Sequence, residues 1–452
     1  MSTRTMPTLS APHPPTAEIP VDDALALILA SVDVLAPTER IPFTSAAGRV
    51  LAAPVAAPEA MPPFAASSRD GYAVVAADGV GARRVVGEAV AGGAGGVVVT
   101  AGTAARITTG APLPQGADAV VMVEDIARGF AALGEDAAPT DGADWISVQR
   151  GVEAGENVRP AGQDYAAGDV VLHAGDVVGA AELGLLASVG AVEVEVVRRP
   201  KVIVFSTGDE LVEPESALGP GQIRDSNRFA LAEAVRQAGA DVLFAGHIGD
   251  EQGDLEALGA AVASADVLVT SGGVSMGHRD LVKPWLAEHG RLVFGRVRTK
   301  PGKPVTFAIV EGTPCFALPG FPVSALVCFE LFVRPALRRM AGHREVRRPS
   351  WPVRLAHDVV HAGDRVEFAR AVVTVGDDGR ATAATTGFQG SGRLLSLAHA
   401  NALLRLEGES GVTRAGAMVT AILTGPVGGD TAVSAASSRM NVADGARTGG
   451  RR

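Results

Sequence analysis

The chain has 452 residues, more than one hydrophobic core usually supports, so we expect several domains. Its formal charge of −10 argues against a large duplex-binding face, and its aromatic content of 4% argues against a surface on which nucleic-acid bases stack. Hydrophobic residues make up 47% of the chain, yet no run approaches the ~18 apolar residues of a membrane helix. We therefore expect a soluble, cytoplasmic protein that binds neither nucleic acid nor membranes.

The N-terminal part of the chain predicts one helix followed by short strands. Residues 1–20 are rich in Pro, Ser and Thr and lack a signal-peptide core, so we expect a disordered leader. Within residues 21–60, apolar residues at helical spacing predict a helix over Val21–Ala36, and a Pro/Ala-rich extended segment follows.

Residues 61–160 predict an inserted β-rich domain, because short Val-rich runs are separated by Gly and Pro. We expect strands at Tyr72–Val75, Gly96–Thr100 and Ala119–Val123, and a surface loop over 126–144. Residues 161–200 predict a β-rich linker domain, with short strands on either side of a turn at His173–Asp176.

Residues 201–345 alternate strands and helices, which is the pattern of a parallel α/β sheet with ligands at the carboxyl ends of its strands. The predicted elements are a strand from Lys201, a helix at Arg228–Ala238, a strand at Asp241–Ala245, a helix at Asp254–Ala263, a strand at Asp266–Thr270, a strand at Cys315–Leu318 and a helix at Val323–Met340.

Residues 346–425 return to short strands, which predicts a small C-terminal β-barrel, and residues 426–452 are Gly-, Ala- and Ser-rich, which predicts a disordered tail. The fold class is therefore α/β plus β: a multidomain protein with a central α/β domain whose sheet is mainly parallel, β-rich N-terminal modules and a C-terminal small β-barrel. Cys315 and Cys328 stand in apolar surroundings outside any CxxC motif, which predicts buried structural thiols.

Loops in the α/β segment suit an anionic ligand. An apolar strand leads into Ser271-Gly272-Gly273, and a later turn places Lys300 and Lys303 between Pro and Gly residues. Glycines let backbone N–H groups approach an anion closely, and the two lysines add charge at a fixed position. Taken singly, the first loop could be an ordinary turn and the second a solvated hairpin.

Acidic residues follow the same strands: Asp209, Glu210, Asp250 and Asp280. Several carboxylates facing a lysine-lined pocket favour a hard cation, Mg²⁺, that bridges to phosphate oxygens. Helix capping could explain one or two of them. Nine scattered histidines without an HExxH motif do not predict a zinc site, and neither GxGxxG nor a Walker A motif occurs.

The motifs together resemble the molybdopterin molybdenumtransferase family, to which the C-terminal half of gephyrin belongs. They occur in the order of the family and cover about residues 21 to 422. The matching strings are SSRDGYA, ITTGAPLPQGADAVVM, NVRPAGQDY, FSTGDEL, GQIRDSN, TSGGVSMGHRD, TKPGKP, LPGFPVSA, EFARAVV and GFQGSGRLLSLAHAN.

The resemblance implies a homodimer with its active site at the subunit interface. Its substrates are adenylylated molybdopterin and molybdate, its cofactor is Mg²⁺, and AMP is released as molybdenum is inserted. Two other functions remain open at this point: adenylyl transfer to molybdopterin by the shared α/β domain, and a non-catalytic scaffold of the same fold.

Matching positions carry the roles of the family onto this chain. The implied catalytic residues are Asp250, Asp280, Lys300, Lys303 and Glu210, and the implied metal ligands are Asp250, Asp280 and Glu210. The implied substrate-binding residues are Ser275, Gly272, Gly273, Pro319, Pro322, Ser324, Asp70, Thr109 and Asp164. The implied molybdate-binding residues are Arg370, Ser391, Lys303 and Pro304.

Two positions depart from the family pattern. The loop that usually contains LPGNPVS has Phe321 in place of the asparagine, which removes an amide. A basic position often filled by lysine is Arg296, which keeps the charge but changes its geometry.

Overall fold

The computed structural model describes residues 17–93, 95–128, 144–249, 256–274, 281–408 and 411–429. The chain divides into two compact units. The first comprises the described residues of Met1–Arg40, Gly48–Ala52 and Glu195–Arg452, and the second comprises those of Ile41–Ala47 and Ala53–Val194. Within the described ranges, no helix has both the length and the apolar character needed to cross a membrane. Most of the predicted leader, tail and 126–144 loop lies outside these ranges.

The described residues contain eight α-helices. They are α1 Val21–Ala30, α2 Ala180–Ser188, α3 Asn227–Gln237, α4 Glu256–Ser264, α5 Val282–His289, α6 Pro322–Cys328, α7 Arg334–Met340 and α8 Leu394–Ala398. Helix α1 buries Ala24 and Ile28 as the apolar spacing predicts, but it ends before the expected Ala36. The Ser31 hydroxyl donates to the carbonyl oxygen of Leu27 at 2.8 Å. Ser31, Val32 and Asp33, the residues directly after the helix, favour helix only weakly.

Short strands dominate the chain up to Val196. They are β1 Glu39–Pro42, β2 Val55–Ala56, β3 Ala66–Ser67, β4 Gly71–Val74, β5 Gly81–Ala89, β6 Thr103–Ile107, β7 Ala119–Met122, β8 Ile126–Arg128, β9 Trp145–Val148, β10 Val158–Arg159, β11 Val170–Leu172 and β12 Glu193–Val196. Six of them form a sheet in the order β7-β4-β6-β5-β9-β8. The strand predicted at Gly96–Thr100 is wrong, because only an isolated bridge between Val98 and Gln115 forms there.

Helix α2 lies where only short strands were expected. Its first turn is capped by Glu182, whose carboxylate accepts a hydrogen bond from the backbone N–H of Gly179 at 2.9 Å. Leu183, Leu185, Leu186 and Ala187 favour helix and outweigh Gly184, so the segment continues as a helix and buries Leu186. The sequence signal is the acidic residue three positions after Gly179.

The strands of the α/β segment are β13 Lys201–Thr207, β14 Leu211–Val212, β15 Ile223–Arg224, β16 Asp241–Ile248, β17 Val267–Ser271, β18 Arg291–Phe294, β19 Thr299–Lys300, β20 Thr306–Val310 and β21 Thr313–Leu318. Six of them form one sheet in the order β16-β13-β17-β21-β20-β18. Strands β16, β13, β17 and β21 are parallel neighbours, and β20 and β18 are antiparallel, which confirms a mainly parallel sheet.

The helix predicted at Val323–Met340 is present but is not uniform. A π-helical turn over Phe329–Val333 separates α6 from α7. Pro335 lacks the N–H that would bond the carbonyl four residues earlier, which accounts for a wider turn at this point. Cys315 and Cys328 are free and buried, as the sequence predicts, and burial raises the pKa of the Cys315 thiol to about 12.

The C-terminal sheet closes on itself. The strands of this region are β22 Ser350–Leu355, β23 Val359–Val360, β24 Val366–Val375, β25 Ala381–Thr385, β26 Ala402–Leu406, β27 Val412–Thr413, β28 Met418–Leu423 and β29 Gly428–Gly429. Neighbouring strands follow the order β24-β25-β22-β28-β26, and β26 pairs again with β24, which gives a barrel-like sheet. Strand β19 pairs in parallel with β24 and places Lys300 opposite Glu367.

Candidate active site

The carboxyl ends of β13, β17 and β21 lie at one edge of the sheet, because these parallel strands are in register there. The loops that follow them enclose a first cleft of about 690 Å³, within the size range of small-molecule sites. It is lined by Thr207, Gly208, Glu210, Leu211, Ile223, Asn227, Ser271, Gly272, Gly273, Val274, Pro304, Pro319, Gly320, Phe321, Pro322 and Ser324. The loops predicted to bind a ligand therefore share one cavity.

Gly272 and Gly273 are required by the close approach of two loops. Gly272 has a φ of +103°, and a Cβ on it would lie 2.4 Å from the Thr207 hydroxyl oxygen. Gly273 has a φ of +66°, and its Cβ would lie 2.8 Å from a methyl carbon of Val282. Both residues therefore shape the turn after β17, and the main chain itself forms this wall of the first cleft.

Asn227 ties this turn to the next loop, and motif spacing alone did not single it out. Its side-chain amide donates to the Ser271 hydroxyl oxygen and to the carbonyl oxygen of Gly320, both at 2.8 Å. The Ser271 hydroxyl in turn donates to the carbonyl oxygen of Pro319 at 3.2 Å. Asn227 ends the string GQIRDSN and is the first residue of α3. The polar residues at the end of this string are the sequence signal that could have pointed to it.

Glu210 lies in the first cleft, beside Gly208. A Cβ on Gly208 would meet the Glu210 carboxylate at 2.6–2.8 Å, so the carboxylate packs directly on this glycine. The other two predicted metal ligands, Asp250 and Asp280, lie outside the described residues, as does Ser275. Among the residues that the structure does describe, no group of three or more His, Cys, Asp or Glu side chains is spaced to hold a metal ion.

A second cleft of about 720 Å³ lies beside the first and shares Pro304 and Ser324 with it. Three cationic side chains line it, those of Lys300, Lys303 and Arg365. Its remaining walls come from the barrel segments 357–360 and 385–391 and from Thr299, Pro301, Gly302, Pro304, Ser324 and Glu367. The second cleft is therefore the cationic part of the site.

Each lysine of the second cleft is paired with a carboxylate. The Lys300 ammonium lies 3.0 Å from Glu367, whose side chain is only 2% exposed, and the Lys303 ammonium lies 2.5 Å from Glu18. Glu367 also accepts a hydrogen bond from the backbone N–H of Ala362 at 2.8 Å. Sequence reasoning missed both carboxylates, because they lie far from the lysines along the chain.

Arg370 is fully buried and does not line either cleft. Its guanidinium donates to the carbonyl oxygens of Gln389 and Gly390 at 3.2 and 3.0 Å and to the Ser396 hydroxyl oxygen at 3.1 Å. Burial lowers the pKa of Arg370 to about 10. In this arrangement Arg370 holds the loop that contains Ser391, while Ser391 itself lines the second cleft.

The loop after β21 connects both clefts. Pro319 and Pro322 line the first cleft, and Ser324 is buried and lines both. The carbonyl oxygen of Ser391 accepts a hydrogen bond from the backbone N–H of Val323 at 3.1 Å, which fixes the barrel loop against the start of α6. Phe321, by contrast, leaves 63% of its surface exposed.

Three predicted site residues belong to the second unit, and all three are exposed: Asp70, Thr109 and Asp164. Asp70 accepts hydrogen bonds from the backbone N–H of Thr109 at 2.7 Å and from its hydroxyl at 3.1 Å. The backbone bond, followed by the hydroxyl bond, lowers the pKa of Asp70. Asp164 is exposed, and its backbone N–H donates to the carbonyl oxygen of Met61 at 2.9 Å.

Family models match most of the described chain. Residues 19–190 match the MoeA N-terminal region (domain I and II), residues 203–339 match a probable molybdopterin binding domain, and residues 352–424 match the MoeA C-terminal region (domain IV). The third match covers the barrel-like sheet, and the second covers the six-stranded sheet that carries the first cleft.

Curated relatives agree with these matches. Molybdopterin molybdenumtransferase 2 of Mycobacterium tuberculosis is 39% identical over 80% of this chain and 89% of its own length. Molybdopterin molybdenumtransferase of Haemophilus influenzae is 35% identical over 88% of this chain and 97% of its own length. Gephyrin of Dictyostelium discoideum is 35% identical over 90% of this chain, which spans only 62% of gephyrin.

A solved structure also has the same fold. The crystal structure of a molybdopterin biosynthesis moeA protein from Pyrococcus horikoshii OT3 superimposes with a TM-score of 0.75 at 29% identity, covering 90% of this chain and 100% of that protein. The matches include 89% of the M. tuberculosis protein and 97% of the H. influenzae protein, so this chain corresponds to nearly the whole of both relatives. This chain belongs to the molybdopterin molybdenumtransferase family.

Proposed function

We propose that this chain is a molybdopterin molybdenumtransferase, which inserts molybdate into adenylylated molybdopterin, releases AMP and completes the biosynthesis of the molybdenum cofactor. The observation that carries the proposal is the pair of adjoining clefts. One is formed by the loops of the α/β sheet, and the other is lined by Lys300, Lys303 and Arg365. Such a pair suits a ligand with an extended organic part and several negative charges.

The cations of the second cleft fit the charge of the reactants. Molybdate is a dianion, and the AMP-pyrophosphate part of the substrate is also anionic, so both need cationic partners in a partly desolvated site. Lys300 and Lys303 are each about half exposed and can turn a donor toward a ligand. Arg370 contributes by holding the carbonyl oxygens of Gln389 and Gly390 and thereby placing Ser391 in the second cleft.

The reaction needs no side-chain nucleophile. A water oxygen attacks the AMP phosphorus and gives up a proton, the phosphoanhydride P–O bond breaks, and the terminal phosphate of molybdopterin leaves with the bonding electrons, so that AMP is released. In the insertion itself the two dithiolene sulfurs bond to molybdenum, and their two protons leave with one molybdate oxygen as water. Lys300 and Lys303 stabilise the negative charge that moves onto the bridging and leaving oxygens as that bond breaks. The main chain of Gly272 and Gly273 shapes the opposite wall, where a side chain would collide with its neighbours.

The proposal includes Mg²⁺ held by Asp250, Asp280 and Glu210. Of these three residues only Glu210 lies in the described part of the chain, and it lines the first cleft beside Gly208. Carboxylate oxygens are the hard donors that Mg²⁺ prefers, so the donor set fits this cation. When bound, Mg²⁺ would act as a Lewis acid that lowers the cost of negative charge on the phosphoanhydride. Addition of EDTA is expected to stop AMP release, and excess Mg²⁺ to restore it.

We further infer a cytoplasmic homodimer with the active site at the subunit interface. The family resemblance supports this, and so does the exposure of Asp70, Thr109 and Asp164, which leaves these polar groups available to a ligand or a second subunit. Mixing inactive Asp70→Ala subunits with inactive Lys300→Ala subunits tests it. A shared site restores one intact active site in a mixed dimer and regains activity, whereas sites built within one subunit stay inactive.

Two incubations separate this proposal from its rivals. The purified chain is supplied either with adenylylated molybdopterin and molybdate or with ATP and molybdopterin. The proposal predicts turnover in the first incubation alone. Turnover in the second alone would identify an adenylyltransferase, and turnover in neither would identify a non-catalytic scaffold.

A further inference from the structure

Phe321 presents an aromatic ring to the first cleft from a restrained position. Its side chain is 63% exposed although it lines a cavity of about 690 Å³. Pro322 follows it directly, and the carbonyl oxygen of Phe321 accepts a hydrogen bond from the backbone N–H of Ala325 at 2.9 Å. These two features fix the backbone from which the ring projects at the start of α6.

The Phe321 ring lies near Gly392 of the C-terminal domain. A Cβ on Gly392 would lie 3.7 Å from a ring carbon, which is ordinary van der Waals distance, so a glycine here leaves space beside the ring. The rest of the ring surface stays open, and the cleft around it is largely apolar, with Leu211, Ile223 and Val274 among its walls. An exposed phenylalanine in an apolar cavity is typical of a surface that a ligand covers.

The two clefts differ in chemistry but meet at Pro304 and Ser324. The second cleft carries the cations Lys300, Lys303 and Arg365, whereas the first carries the open ring of Phe321. A ligand that joins an anionic group to a planar aromatic ring fits both clefts. Aromatic side chains bind such rings by stacking, largely independently of the identity of the ring.

We propose that Phe321 is a substrate-binding residue whose ring stacks on a planar heteroaromatic ring of the ligand while the phosphate of that ligand lies toward the cationic cleft. This inference rests on the proposed function, whose substrate contains two such rings, an adenine and a pterin. Phe321 therefore contributes to ligand affinity through the ring, and it takes no part in breaking the phosphoanhydride bond.

The test compares the full-length wild type with Phe321→Leu, which keeps an apolar side chain but removes the aromatic face. Calorimetry measures the binding of AMP, of ribose 5-phosphate, which lacks a ring, and of 6-hydroxymethylpterin, which lacks the nucleotide. We expect Phe321→Leu to weaken AMP or the pterin by at least about fivefold and to leave ribose 5-phosphate within about twofold. If only AMP binding is weakened, the ring that stacks on Phe321 is the adenine. If only binding of the pterin is weakened, the stacked ring is the pterin.

A tryptophan at the same position gives a second readout. In Phe321→Trp, stacking of the bound ring should quench the fluorescence of the new indole, with AMP and the pterin again compared with ribose 5-phosphate. The matched control is Phe388→Trp, since Phe388 is 73% exposed and lines the second cleft. Quenching confined to Phe321→Trp supports the inference.

Equal affinities of wild type and Phe321→Leu for all three ligands, together with no quenching in Phe321→Trp, would overturn the inference. That outcome differs from failure of the proposed function. If only the stacking is wrong, Phe321→Leu releases AMP in response to molybdate with an unchanged KM. If the proposed function is wrong, the wild type itself releases no AMP, whatever the binding data show.

Discussion

The carboxylate of Glu367 holds the Lys300 ammonium at 3.0 Å across two paired strands, and the carboxylate is almost completely buried. A buried anion is unfavourable unless a cation stays beside it. Lys300 therefore neutralises Glu367, and in the proposed reaction it also faces the reactants.

Lys300→Ala should lower the free energy of unfolding by about 1–3 kcal/mol, because it leaves the Glu367 carboxylate buried without its cation. The double variant Lys300→Ala/Glu367→Gln should recover most of that loss, because the buried charge is then absent. Urea unfolding of the four members of this cycle measures the effect. Equal stabilities of the single lysine variant and the double variant would contradict this explanation. Both variants should lose AMP release, since both lack the Lys300 ammonium.

Asn227→Ala should lower the free energy of unfolding by about 1–2 kcal/mol, because it removes the two 2.8 Å hydrogen bonds to Ser271 and Gly320. It should also raise the KM for adenylylated molybdopterin, because those bonds hold two loops of the first cleft together. Gln237→Ala is the matched control: this side chain bonds Glu233 on the exposed surface of the same helix. The control should change stability by less than about 0.5 kcal/mol. Similar losses in both variants would show that Asn227 has no special role.

His343 should make the protein less stable as the pH falls from about 6.5 to about 4. Burial, with help from Arg338 and Arg334, lowers the pKa of His343 to about 4, and its usual value is 6.5. Between these values the unfolded chain binds the proton and the folded chain does not, so stability is present at higher pH and lost on acidification. The loss attributable to this group is at most about 3 kcal/mol.

The measurement is the free energy of unfolding of wild type and His343→Gln between pH 7 and pH 4. Glutamine can still accept the hydrogen bond that Arg338 donates to the histidine ring at 3.2 Å. The wild type should lose more stability on acidification than the variant does. Parallel pH profiles of the two proteins would refute a neutral, buried histidine in the folded state.

Thr109→Val should raise the pKa of Asp70, because it removes the hydroxyl donor and keeps the backbone N–H donor. The backbone bond is the larger cause of the lowered pKa, so the value in the variant should remain below the usual range of a carboxyl. A carbon-detected NMR titration of the Asp70 carboxyl measures the change. An unchanged pKa would mean that the hydroxyl does not bond Asp70 in solution.

The parallel strands were the most predictable part of this fold. The strands predicted from Lys201 and at Asp266–Thr270 and Cys315–Leu318 correspond to β13, β17 and β21 within a few residues. Buried parallel strands are continuous apolar runs, which set them apart from their polar neighbours in the sequence. Helix α2 was not predicted, because its sequence is about as apolar as the short strands around it. The signal for a helix was Glu182, which caps its first turn.

The candidate site was only partly predictable, for a different reason. Lys300, Lys303 and the Gly272-Gly273 turn stand in conspicuous motifs and do line the clefts. Glu367 and Asn227 acquire their roles from distant residues, through a strand register and two loop contacts that no local pattern shows. The guanidinium of Arg370 donates to the carbonyl oxygens of Gln389 and Gly390 and to the Ser396 hydroxyl, contacts that no local pattern shows, and its role toward molybdate stays a prediction.

The most direct test of the proposed function is the rate of AMP release from adenylylated molybdopterin as the molybdate concentration is varied. We expect a rate that rises to saturation with molybdate, with AMP and inserted molybdenum formed in equal amounts. We also expect about 100-fold lower rates for Lys300→Ala and Lys303→Ala, since each removes a cation that stabilises developing negative charge. AMP release at the same rate with and without molybdate, or wild-type rates in both lysine variants, would contradict the proposed function.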